Sequence, residues 1–167
     1  MVDGPYKLTT EQASPECDVT LEDVERGLAE LASPQGPTYI ILESGDGSYV
    51  QAAGTNDRYV VEARDVYGEG FRHWRAFHPG SPTGSNVTIG YRQRCPKGEH
   101  PPRSCPLPVR REEVMRLAEV VVALTAYFTA GTRSDAVGWR DVSDEFLAKA
   151  DEREIRSIQP SGRVSDA

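Results

Sequence analysis

What this chain lacks narrows its class before any motif is considered. Its longest apolar-dominated stretch, Val120 to Ala130, is 11 residues, against the roughly 20 that a membrane-spanning helix needs. The opening Met-Val-Asp-Gly-Pro-Tyr has neither the basic region nor the apolar core of a secretory signal. A cytoplasmic protein without membrane contact is therefore expected. Three cysteines in 167 residues do not make a disulfide scaffold, so free thiols are expected, and a Cys95–Cys105 bridge would require export. Positive charge is in deficit, with 19 Lys and Arg against 26 Asp and Glu and a net charge of −7. Between Phe71 and Arg111, however, eight basic residues face one acidic residue, a local +7, which leaves −14 for the rest of the chain. A strongly acidic body disfavours nucleic acid and suits a basic protein partner. Glycine-rich phosphate loops are missing too: Gly45-Asp46-Gly47 joins two strands and opens no helix. So is the Gly-aromatic strand motif of the common RNA-binding sheets. No specific nucleic acid is expected, and nothing implies a cofactor.

What is present is a strongly patterned centre. From Thr38 to Arg64, three runs rich in β-branched and aromatic residues are separated by Gly, Asn and Asp turns, the signal of consecutive antiparallel strands. In the third, Tyr59, Val61 and Ala63 share one face, and Val60, Glu62 and Arg64 the other. A fourth strand is expected over Phe71–Phe77, with Phe71, His73, Arg75 and Phe77 on one side and Arg72, Trp74 and Ala76 on the other. A fifth is expected over Asn86–Arg94. The four prolines between Cys95 and Leu107 predict an irregular segment. Upstream, Thr20 and Asp23 approximate a capping box, and Leu21, Val24, Leu28 and Leu31 predict a short N-terminal helix to Ala32. Downstream, Val114, Leu117, Ala118, Val121, Leu124, Thr125 and Phe128 predict a long helix over about 109–130, with Pro108 near its start and Gly131 as C-cap. Trp139 and Phe146 are expected to seal an edge of the core. The fold class is thus α+β: an antiparallel meander of about five strands with the long helix packed on one face. Residues 1–17 are expected to be a flexible arm, 18–147 a single domain and 148–167 a charged tail.

Two constellations invite chemistry. Cys95, His100 and Cys105 form Cys-x4-His-x4-Cys, a weak metal candidate because zinc sites want about four ligands and a short cysteine knuckle. A proline-rich surface loop explains the same residues, so no metal is expected. Glu62 and His73 could pair so that a carboxylate orients an imidazole general base, which keeps a small enzyme as an alternative. A half-buried histidine in a sheet is the plainer explanation, because no nucleophile sits in a recognisable turn. A self-associating structural or regulatory sheet module is the other alternative.

The succession Tyr49-Val-Gln-Ala-Ala-Gly, Tyr59-Val-Val-Glu-Ala-Arg and Phe71-Arg-His-Trp, followed by Glu112-Glu113-Val114 and Gly138-Trp139, resembles a family of small bacterial immunity proteins. In that family a strand meander precedes a long helix and a Gly-Trp segment, and members neutralise cognate toxins of polymorphic toxin systems, often nucleic-acid deaminases. The resemblance covers about residues 38–146. It implies a non-enzymatic, protein-binding function in which a pre-folded sheet surface covers the active site of a basic toxin. Gln51, Glu62, Arg64, His73 and Trp74 are the expected partner-binding residues. Oligomeric state is left open.

Overall fold

The computed structural model describes residues 6–13, 15–93 and 103–146. It is α+β. Among the described residues the elements run β1 Lys7–Thr10, β2 Glu16–Cys17, α1 Leu21–Ala32, β3 Tyr39–Glu43, β4 Tyr49–Thr55, β5 Arg58–Tyr67, β6 Gly70–Phe77, β7 Asn86–Gln93, β8 Arg103–Arg110, α2 Leu117–Ala130 and β9 Gly138–Asp141, followed by a helical turn at residues 143–146. Seven of the strands form one antiparallel sheet in the order β2-β1-β3-β4-β5-β6-β9, and β7 and β8 form a separate two-stranded ribbon.

The meander β3–β6 builds the middle of the sheet because its turns have the right chemistry. Asn56 and Asp57 both take positive φ, 54° and 55°, as a two-residue hairpin turn demands. That turn also starts α2: Asp57 Oδ1 accepts from the Leu117 N–H at 2.8 Å, and its other oxygen pairs with Arg116 at 3.2 Å. A carboxylate there satisfies an orphan N–H at the positive end of the helix dipole. At the other helix, Thr20 and Asp23 form a reciprocal capping box.

Both helices lie on the same face of the sheet and touch each other. Val24, Leu28 and Leu31 of α1 and Val120, Ala123, Leu124 and Tyr127 of α2 close over Leu8, Ile40, Leu42, Val50, Ala52, Val61 and Ala63. Gly27, which weakens α1 as an isolated helix, serves the packing. A Cβ there would lie 3.0 Å from Ile40 Cδ1 and 3.3 Å from Leu8 Cδ2, so glycine permits the close approach of helix and sheet.

Several expectations are corrected. The sheet has seven strands where about five were expected. The segment expected as a loose arm contributes β1, which pairs with β3 from Lys7↔Glu43 to Thr10↔Ile40, and its Tyr6 and Leu8 are buried in the core. The helix expected over about 109–130 begins only at Leu117. Before it come the end of β8, a 3-10 turn at Arg111–Glu113, and Met115, which exchanges two backbone hydrogen bonds with Tyr59. Pro108 therefore lies in a strand. The buried stripe of α2 is also rotated: Val121 and Val122 are exposed, and Val120, Ala123, Leu124 and Tyr127 face inward. The helix is apolar almost all round, so periodicity alone does not select its phase.

β7 does not join the main sheet, and the proline-rich segment is not irregular throughout. Its residues 103–107 belong to β8, which pairs with β7 from Asn86↔Arg110 to Gln93↔Arg103. Pro106 and Pro108 are two residues apart, so both missing N–H groups fall on one edge of β8. Among the described residues β7 is the only strand paired with β8, and on the edge of β8 turned away from it proline is tolerated. Val87, Ile89, Leu107 and Val109 pack this ribbon onto Ala53, Val60 and Val114, on the side of the sheet away from the helices. The expected tail, 148–167, lies outside the described residues. No helix among the described residues is long and apolar enough to cross a membrane.

Candidate functional site

The side of the sheet away from the helices is divided into three rows by strand register. The first row, Tyr39, Ala53 and Val60, lies at the apolar end where the ribbon packs. The second runs Gln51, Glu62, Arg75, Arg140 across β4, β5, β6 and β9. The third runs Lys7, Glu43, Tyr49, Arg64, His73 across β1, β3, β4, β5 and β6. Side chains two residues apart along a strand share a face, so the last two rows form one continuous polar surface.

The second row is a buried ion network. Arg75, only 3% exposed, donates through Nε and Nη2 to Glu62 Oε1 at 2.9 and 2.7 Å, and Gln51 donates to Glu62 Oε2 at 2.9 Å. The remaining Arg75 nitrogen lies 3.5 Å from both Glu113 and Glu145. Glu113 comes from the 3-10 turn and is fully buried. Arg140 binds it, and Arg140 Nη1 also donates to Glu145 at 2.8 Å. Three carboxylates thus surround two guanidinium groups. Burying charge is tolerable only with such pairing, and the forked arginine geometry supplies it.

The third row is aromatic and partly open. Arg64 lies over the Tyr49 ring, 4.7 Å from its centroid, and donates to the Gly47 carbonyl. Burial pushes the Tyr49 hydroxyl up to about 12. His73 is 5% exposed. Its Nε2 lies 3.4 Å from the Tyr49 hydroxyl, and Phe146 stacks on its ring at 3.8 Å. Phe71, itself exposed, meets the same ring edge-on at 5.5 Å. Burial lowers the His73 pKa; the Glu62 charge raises it, and Arg64 and Arg75 lower it further.

No family model, curated protein or solved structure matches this chain. The site is therefore read from its own geometry.

That geometry brings Gln51, Glu62, Arg64 and His73 onto one surface. It separates Trp74 from them. Trp74 lies opposite Ala63 of the core and projects to the helix side, where Arg133 stacks on it at 3.9 Å and pairs with Asp65 at 3.3 Å. The Glu62–His73 pair on which the alternative of a small enzyme depends is not formed either. In register Glu62 stands opposite Arg75 and His73 opposite Arg64, so both carboxylate oxygens go to Gln51 and Arg75, and the imidazole turns to Tyr49 and Phe146. Two cavities elsewhere, about 570 Å³ between the α1 end and the ribbon and about 380 Å³ at the α2 end, are lined by neither residue. Cys105 sits half-buried in β8, Cys95 and His100 lie outside the described residues, and among the described residues no group of metal-ligating side chains comes together.

Sequence reasoning missed Tyr49, Arg75, Glu113, Arg140 and Phe146 as members of this surface. Arg75 carried a signal, because it alternates with His73. The others needed strand register or a contact across many residues. Phe146, expected to seal an edge of the core, covers the polar side; Trp139 packs against the core.

Proposed function

We propose that this chain is a non-enzymatic protein-binding module, an immunity protein that covers the active site of a cognate bacterial toxin with the face of its sheet opposite α1 and α2. One observation carries the reading: Gln51, Glu62, Arg64 and His73 gather on that face and are committed to ion pairs, stacking and a carbonyl contact. The Glu62 carboxylate, with both oxygens already held by Gln51 and Arg75, is a rigid structural element. The open third row offers what interfaces use as anchors, an arginine with Tyr49 and Phe71 around a largely desolvated centre. Arg64 and Tyr49 are already held against each other and Arg64 against the Gly47 carbonyl, which limits their ordering cost on association. The acidic body would speed encounter with a basic toxin, and the anchors would set the residence time.

Co-expression tests this. A toxin domain encoded beside the chain is expected to be neutralised by it in cells and to co-purify with it as a stable complex. If the cells are not protected and no complex forms, the reading is overturned.

A further inference from the structure

We propose that His73 is a pH-sensitive latch that holds residues 142–146 over the binding face. The proposal deepens the reading above, since the face it regulates is the one assigned to the partner. The segment meets His73 in three ways, besides the Glu145 pairs with Arg75 and Arg140. The Phe146 ring stacks on the imidazole at 3.8 Å with 21° between planes. The Val142 N–H donates to the His73 carbonyl at 2.8 Å, and the His73 N–H donates to Ser143 Oγ at 3.0 Å. Ser143 is itself fixed by Asp141 Oδ1 at 2.6 Å. Beneath this cover, His73 Nδ1 is buried and has no hydrogen-bond partner among the described residues.

A neutral imidazole tolerates that position, and an imidazolium does not. Protonation would place a charged N–H donor in an apolar slot without an acceptor, a costly arrangement. The charged and titratable groups around the ring do not offset this. From β4 comes only the Tyr49 hydroxyl, at 3.4 Å from the other ring nitrogen. From β5, Glu62 favours the proton and Arg64 opposes it; from β6, Arg75 opposes it. The Glu62 charge is already taken up by Arg75. On the covering segment, Glu145 is paired with Arg140 and Arg75, and Asp141 is held by Ser143. The closed state therefore binds the proton less well than the open state, whose histidine has the ordinary value of about 6.5. Closure is fully favoured above that value and weakens as pH falls through it toward the lower closed-state value, by up to about tenfold per pH unit. Opening uncovers an aromatic floor of Tyr49, Phe71 and His73 on the face that would meet a partner.

The test uses the full chain in solution by nuclear magnetic resonance between pH 7.5 and 5. His73 ring signals are expected to titrate below about 6.5. Amide-exchange protection at Val142 should fall in the same window, by up to about tenfold per pH unit after correction for intrinsic exchange. In His73→Phe that slope should vanish with protection retained, while Glu145→Gln should keep it. Ordinary titration of His73 with constant protection at Val142 would overturn the latch, as would an identical slope in His73→Phe. Should that variant not fold, the wild-type pair of measurements decides alone. No toxin enters this experiment, so loss of the latch leaves the assignment of the face standing, and a failed co-expression leaves the latch standing.

Discussion

Replacing Arg75 by alanine is expected to lower the unfolding free energy by about 3–5 kcal/mol, the cost of leaving buried charge unpaired. The reason lies in what stays behind. Glu62 would keep only the Gln51 amide, and Glu113 only Arg140 and the Arg110 N–H, in a region where their side chains are 7% and 1% exposed. Neither carboxylate can reach water without moving a strand or the 3-10 turn. Arg75→Lys should recover part of the loss, since it restores charge without the fork that serves two acceptors. Urea unfolding would show the alanine effect as a midpoint lowered by about 1–5 M at ordinary slopes for a small protein. A shift equivalent to less than about 1 kcal/mol, the scale of an exposed pair, would mean that the network is solvated.

Gly54→Ala is expected to be nearly as damaging. Gly54 ends the straight part of β4 with φ of +151°, and a Cβ there would stand 2.1 Å from the Arg58 carbonyl oxygen and 2.8 Å from Tyr59 Cα. Backbone strain of about 1–3 kcal/mol for such a conformation adds to overpacking of similar size, about 2–5 kcal/mol together. The neighbours are backbone atoms of the hairpin itself and cannot swing aside. Gly68, with φ of +56° and nothing within 4 Å of its Cβ position, is the matched control. Alanine there meets only the left-handed penalty of about 1–2 kcal/mol. Equal losses at both positions, measured by thermal or urea unfolding, would show that the close approach at Gly54 is not decisive.

How much of this fold could be read from sequence depended on contrast between neighbouring positions. Thr20 with Asp23, followed by Val24, Leu28 and Leu31 in a polar background, leaves one choice of helix and phase. The Gly, Asn and Asp turns mark the strands of the meander just as plainly. Contrast fails in α2, where Leu117–Ala130 has few polar residues, and both its start and its buried side were misjudged. It fails differently at Lys7–Thr10, whose short alternation carries little weight until Tyr6 and Leu8 are seen under the helices. In β8, proline argued against a strand, yet spacing by two on a free edge removes the objection.

The site followed the same logic at one further remove. Gln51, Glu62 and Arg64 stand out because they break an apolar pattern, and the structure places them together with His73. What turns them into a surface is register: Gln51 opposite Glu62, Glu62 opposite Arg75, Arg75 opposite Arg140. Glu113 reaches the network from a turn that the helix prediction had absorbed, so its burial could not be foreseen. Trp74 shows the reverse error. The resemblance groups it with His73, although adjacent residues in a strand point to opposite faces and the alternation of Phe71–Phe77 already separates the two.

The central proposal, that the face opposite α1 and α2 binds a toxin, is most directly tested by the affinity of the adjacent toxin domain for single alanine variants on the two faces. Tyr49→Ala and Arg64→Ala are each expected to weaken the complex at least tenfold, about 1.4 kcal/mol or more. Val122→Ala, at an exposed position of α2 on the opposite face, should leave it unchanged. Tight binding by both sheet-face variants, with loss on the helix side, would contradict the assignment.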